Sequence, residues 1–95
     1  MKMNKKKTPK RNRIQVLADM LEASVDAVPP TRISGTANVT RRSFKRHLDG
    51  LVSRGFLRKI KLDYSERFLY QTTKEGEYVL ELIYQLRDTF GEALW

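Results

Sequence analysis

The stretch Thr31–Lys61, TRISGTANVTRRSFKRHLDGLVSRGFLRKIK, admits few folds because turn and cap residues fall inside it at close intervals. Pro29-Pro30 precedes it and stops any helix running in, since neither residue offers the backbone N–H that a helix interior needs. Thr31 is then a candidate N-cap for a short second helix with Ile33 and Ala37 facing inward. Gly35 weakens that segment and limits it to about two turns. Asn38-Val39 reads as a turn and Thr40 as the next N-cap. Phe44, Leu48, Leu51 and Val52 then form one apolar stripe of a third helix. Gly55 closes this helix in the left-handed conformation that glycine adopts without steric cost.

The flanks fit the same pattern. Ile14, Leu17, Ala18, Leu21 and Val25 recur at three- and four-residue steps, which predicts a first helix from about Lys10 to Ser24. Phe56 to Leu62 alternates, with Leu57, Lys59 and Lys61 opposing Phe56, Arg58, Ile60 and Leu62. Asp63–Glu66 is a polar turn and Arg67–Gln71 a returning strand, with room for a minor strand near Val28–Pro30. Thr72 or Thr73 caps a last helix that could reach about Leu94. Its apolar residues include Val79, Leu82, Ile83, Leu86, Phe90, Ala93 and Leu94. With Leu80 and Tyr84 they cover more than half of the circumference, whereas a helix packed only on its own small domain needs a stripe of roughly 100°. The excess implies a second copy of the chain against this helix; one large core helix in a monomer is the alternative.

Charge decides what such a domain meets. The segments 1–13, 14–30, 31–61 and 62–95 carry +7, −3, +8 and −4, which account for the formal net charge of +8 on 95 residues. Two basic blocks set against an acidic remainder point to a polyanion, with nucleic acid ahead of an acidic membrane surface. With Phe44 inward, Arg42, Lys45, Arg46 and Asp49 fall on the outer face of the third helix, and Arg41 at its N-terminal edge. A cationic helix of this length fits the DNA major groove, where arginine can pair with guanine or phosphate. Thr40 and Ser43 are candidate phosphate ligands at the helix start. The hairpin would add Arg58, Lys59, Lys61 and Arg67, with Tyr64 at or near its tip, and Arg32 would contact the backbone from the second helix. Residues 1–12 read as a flexible basic arm whose Lys5, Lys6 and Lys7 follow phosphates, or as a solvated tail.

Other chemistries find little support. There is no cysteine, and no apolar run approaches the roughly 18 residues of a membrane span. The basic N-terminus lacks the apolar centre of a signal peptide, so a soluble, cytoplasmic and nucleoid-associated protein is expected. A lone His47 makes neither a metal site nor a triad, and Glu75, Glu77 and Glu81 read as an exposed helix face. No enzyme activity, cofactor, metal or small-molecule ligand is expected.

The pattern Thr31-x-Ile33, Ala37-Asn38-Val39-Thr40, Leu48-x-x-Leu51, Gly55-x-Leu57 and Tyr70-x-x-Thr73-Lys74-x-Gly76 resembles archaeal winged-helix proteins of the small dimeric coiled-coil type. That group is described as chromatin-associated or as predicted transcriptional regulators, and the resemblance spans about residues 14–86. Thr72 stands where the group usually has an aliphatic residue. The resemblance implies an α+β winged helix-turn-helix in the order α-α-α-β-β-α, with a long C-terminal dimerisation helix pairing antiparallel with a partner subunit. The expected organisation is an arm at 1–12, the DNA-binding domain at 13–72 and the dimerisation helix at 73–95. Leu82, Ile83, Leu86, Phe90 and Leu94 would form the interface. The expected function is double-stranded DNA binding as a homodimer, in transcription regulation. A sequence-nonspecific architectural protein and a protein-interaction module are the alternatives.

Overall fold

A computed structural model describes residues 12–91. Its elements are α1 (Arg13–Ala23), α2 (Pro30–Ala37), α3 (Arg41–Ser53), β1 (Leu57–Lys61), β2 (Phe68–Thr72) and α4 (Lys74–Phe90). The order is the expected one. Strands β1 and β2 pair antiparallel from Leu57↔Thr72 to Lys61↔Phe68, and Val28 forms an isolated bridge with Tyr70 where the minor strand was expected.

Local chemistry sets the boundaries. The Gln15 amide donates to the Asn12 side chain (2.8 Å), so α1 starts at Arg13; Lys10 lies outside the described residues. Helix α2 does not use Thr31 as its cap. It starts two residues earlier with Pro29 at the N-cap, because the fixed φ of Pro30 suits the first helical position and its missing N–H would have no partner there. Asn38 ends α2 in the left-handed conformation (φ 54°), and the Ser43 amide donates to the Thr40 hydroxyl to start α3. Past Arg54, Gly55 (φ 82°) allows its own N–H to reach the Val52 carbonyl and that of Phe56 to reach Leu51, the paired bonds of a Schellman turn. Of the two candidate caps for α4, Thr73 is the one used, while Thr72 belongs to β2. Helix α4 runs to Phe90 with Gly91 at positive φ (62°) as its cap, and the expected extension to Leu94 lies outside the described residues.

The core gathers Val16, Ala18, Met20 and Leu21 of α1 with Ile33 and Ala37 of α2, and Leu48 and Leu51 of α3. Val28, Leu57, Tyr70, Leu80 and Ile83 complete it. Among the described residues the two buried polar side chains, Ser24 and Thr72, both find acceptors. Ser24 Oγ donates to the Met20 carbonyl (2.7 Å) and Thr72 Oγ1 to that of Leu21 (2.7 Å), so both serve carbonyls in the last turn of α1. The polar side chain of Thr72 is thereby accommodated in the core.

Candidate nucleic-acid interface

Helix α3 is held rigidly at both ends, by Thr40 and by the Schellman turn, so its outer face is a fixed surface. Arg41, Arg42, Lys45 and Arg46 are all exposed on it. The amides of Arg41 and Arg42, in the first turn, have no acceptor among the described residues. They leave the positive end of the helix open beside four cationic side chains. Lys45 Nζ lies 3.2 Å from Asp49 Oδ2, but both side chains are exposed (75% and 65%), so the pair is weak and exchangeable. Thr40 is exposed, its hydroxyl oxygen accepting from Ser43.

Ser43 departs from expectation. Its amide is committed to Thr40, and its hydroxyl turns along the helix to within 3.3 Å of His47 Nδ1. Because a carbonyl can only accept, His47 Nδ1 carries the proton and donates to the Ser43 carbonyl at 2.7 Å. Ser43 thus lies on the flank with His47, apart from the outer cations. Arg32 is exposed on α2.

The strand alternation divides the hairpin cations. Lys59 and Lys61 share one face with Phe68, their ammonium groups 4.3 and 5.9 Å from its ring centroid. Tyr70 is on that face too and lies near α3. Its phenol is pushed above the usual 10.0 by burial first and then by the negative charge of Asp49, with Lys45 opposing. Lys59 and Lys61 therefore stand on the α3 side. Arg58 does not join them. It projects from the opposite face and donates to Gln71 Oε1 (2.7 Å), while Gln71 Nε2 donates to the Val25 carbonyl. Tyr64 is at the tip and 90% exposed, and Arg67 is exposed beside it, its amide donating to Ser65 Oγ. Lys5, Lys6 and Lys7 lie outside the described residues.

A model described as winged helix-turn-helix matches residues 10–90. The chain belongs to the winged helix-turn-helix family. The match agrees with the element order, and β1, β2 and their connection are the wing. Among solved structures, Sso10a-2, a DNA-binding protein from Sulfolobus solfataricus, is similar at 22% identity, with a TM-score of 0.70 over 87% of this chain and 88% of that one. A MarR variant from E. coli complexed with operator DNA is similar at 24% identity and a TM-score of 0.61, over 78% of this chain and about half (52%) of its own. FabT of Streptococcus pneumoniae, in complex with DNA, gives 16% and 0.61, with 85% and 56% covered. These likenesses concern the fold. No curated protein matches the chain.

The last helix of this winged-helix domain carries a second surface. Leu82, Leu86 and Phe90 are 39, 44 and 58% exposed. Ile83, expected with them, is only 8% exposed and packs in the domain's own core, because its position on α4 faces inward beside Leu80. Tyr78 (67% exposed) extends the apolar stripe one step earlier, at the same four-residue spacing that signals Leu82 and Leu86. Leu94 lies outside the described residues. Glu75, Glu77 and Glu81 are exposed, and among the described residues no helix is long and apolar enough to cross a membrane.

Proposed function

We propose that the chain binds double-stranded DNA by placing the N-terminal half of α3 in the major groove, and that it acts as a transcriptional regulator. The observation that carries this reading is the set of four exposed cations, Arg41, Arg42, Lys45 and Arg46, around an open helix N-terminus on a rigid capped helix. Arg42 and Arg46 face outward most directly and are assigned to base edges or to phosphates bordering the groove. Lys59 and Lys61 reach backbone from the wing, with Arg67 and Tyr64 near its tip. Arg58, on the far face of the hairpin, stabilises the wing through Gln71. Arg32 and Thr40 contact phosphate from the two helix starts, and Lys5–Lys7 extend that contact. The DNA-bound state of MarR and FabT, and the DNA-binding designation of Sso10a-2, support a duplex partner on the same fold.

The active form in this reading is a homodimer through α4. Tyr78, Leu82, Leu86 and Phe90 would otherwise leave apolar surface in water on one helix. At about 1.5 Å per residue the 17-residue helix is about 26 Å long, enough to set two reading helices apart on one duplex. Selection of bound sequences from a random duplex pool at fixed salt tests the regulator reading. A recovered half-site repeated in twofold symmetry supports it. A pool that stays random, with a steep salt dependence, assigns the architectural role instead.

A further inference from the structure

The hairpin β1–β2 is covered on one edge and open on the other. Val28 and Tyr70 exchange two backbone bonds (3.0 and 2.8 Å), and the Thr72 amide donates to the Ser24 carbonyl (2.7 Å), so the far edge of β2 is covered. Strand β1 forms the other edge of the two-stranded sheet. The ladder fixes which of its groups face outward. The Thr73 amide donates to the Phe56 carbonyl and the Leu62 amide to that of Arg67, one bond at each end of the register. In that alternation Arg58↔Gln71 and Ile60↔Leu69 are the hydrogen-bonded pairs. Lys59 and Lys61 therefore turn their N–H and C=O groups away from β2, and these groups have no hydrogen-bond partner among the described residues. The side chains at this edge separate by chemistry. Lys59 and Lys61 stand with Phe68 on the face toward α3. Arg58, Ile60 and Leu62 lie on the opposite face by strand alternation, with Leu69 across from Ile60. Ile60, Leu62 and Leu69 are half-buried, yet they belong neither to the core nor to the apolar residues packed against it.

We propose that the open edge of β1 takes up an extended peptide of alternating acidic and aliphatic residues, a segment of a partner protein that becomes the next strand of the sheet. Backbone and side chains select this occupant together. Its main chain pairs with the outward groups of Lys59 and Lys61. Its acidic residues, two positions apart, lie opposite the two lysines, and the aliphatic residue between them lies beside Ile60, because side chains directly across a ladder share a face. Asp63 and Glu66, exposed in the turn beyond Lys61, repel a further acid, so the peptide ends short of the wing tip. Charge argues against a second copy of the chain as occupant. Pairing β1 with itself sets lysine against lysine, and edge lysines guard against such self-pairing. Duplex DNA offers no run of alternating N–H and C=O groups to this edge. Lys59 and Lys61 are also the wing's proposed backbone contacts, so the added strand withholds them from DNA. This last consequence, unlike the edge site itself, rests on the proposed DNA reading.

The test titrates the full chain with a capped heptapeptide of alternating valine and glutamate, followed by amide hydrogen exchange in NMR spectra. The Lys59 and Lys61 amides should gain protection that saturates with peptide, while those of Arg58 and Ile60, already bonded to β2, change little. Peptides with lysine in place of glutamate, or serine in place of valine, should bind more weakly by about fivefold or more. Lys59→Gln combined with Lys61→Gln, with folding checked by circular dichroism, should weaken the valine–glutamate peptide by about fivefold. The edge site is overturned if the Lys59 and Lys61 amides gain no protection, or if Arg58 and Ile60 gain as much. It is equally overturned if either replacement peptide binds as well, or if the folded double variant binds with unchanged affinity. Saturating peptide should also lower duplex affinity. An occupied edge with constant DNA affinity overturns the overlap with the wing's DNA contacts. A chain that takes up the peptide but never binds duplex overturns the DNA reading and leaves the edge site standing.

Discussion

Gly76→Ala is predicted to destabilise the domain although it replaces a poor helix former with the best one. The first turn of α4 lies backbone to backbone against the start of the wing. A Cβ at position 76 would overlap the Phe56 carbonyl oxygen and come within 2.7 Å of Thr72 Cγ2. The carbonyl has little freedom to move, since it accepts from the Thr73 amide at 3.0 Å and follows directly on the Schellman turn at Gly55. Overpacking of this kind costs about 1–3 kcal/mol, and loosening the Thr73–Phe56 bond adds about 1 kcal/mol. Against this stands a helix-propensity gain of about 1 kcal/mol. The net loss is about 1–3 kcal/mol, a large part of the roughly 5–15 kcal/mol of a small domain. Urea unfolding at one fixed protein concentration reads it as a lower midpoint with unchanged slope. Thermal unfolding should fall by about 4–8 °C per kcal/mol. Stability equal to wild type or higher would refute the close approach of α4 to Phe56.

Other perturbations act at separate places. Thr73→Ala removes a hydroxyl that accepts from the Gly76 amide (3.0 Å) and donates to the Gly55 carbonyl (2.6 Å); a loss of about 1–2 kcal/mol in urea unfolding is expected. Phe90→Asp places a charge on the exposed stripe of α4, so sedimentation should show a monomer whose circular dichroism matches that of the wild type. The Tyr70 and Tyr84 phenols are both raised above 10.0, first by burial; Asp49 adds to the effect at Tyr70 and a hydrogen bond with Glu22 at Tyr84. A raised tyrosine pKa means that the folded state resists ionisation. Stability should therefore be fully present below the ordinary tyrosine value and fall as pH rises through and above it. Tyr84→Phe should flatten that alkaline decline, and an unchanged slope would remove Tyr84 from the account.

Much of this arrangement was legible because the deciding residues act locally. Thr40, Gly55 and Thr73 satisfy backbone groups within a few positions of themselves, so sequence spacing alone locates the ends of α3 and brings the start of α4 to within one residue. Pro30 misled in the other direction: a residue that breaks helix interiors is well suited to the first helical position, and α2 absorbs it. Gly91, at positive φ, caps α4 after Phe90, a glycine signal that the apolar residues around it outweighed in the sequence. Adjacent positions on α4 were harder. Leu82 and Ile83 are equally apolar, and only the packing of α1 against α4 decides that Ile83 goes inward. The separation of Arg58 from Lys59 and Lys61 follows from strand alternation and was readable.

The central claim is that α3 presents a cationic reading face, and Arg42→Ala combined with Arg46→Ala tests it most directly. Duplex affinity should be measured for wild type and double variant across a salt series, with folding checked by circular dichroism. The account predicts a loss of about 2–6 kcal/mol, at least ~30-fold. If both arginines meet phosphate, the log–log salt slope should shrink by about 2 × 0.9. A folded double variant that binds duplex DNA as tightly as wild type, with the same salt slope, would contradict it.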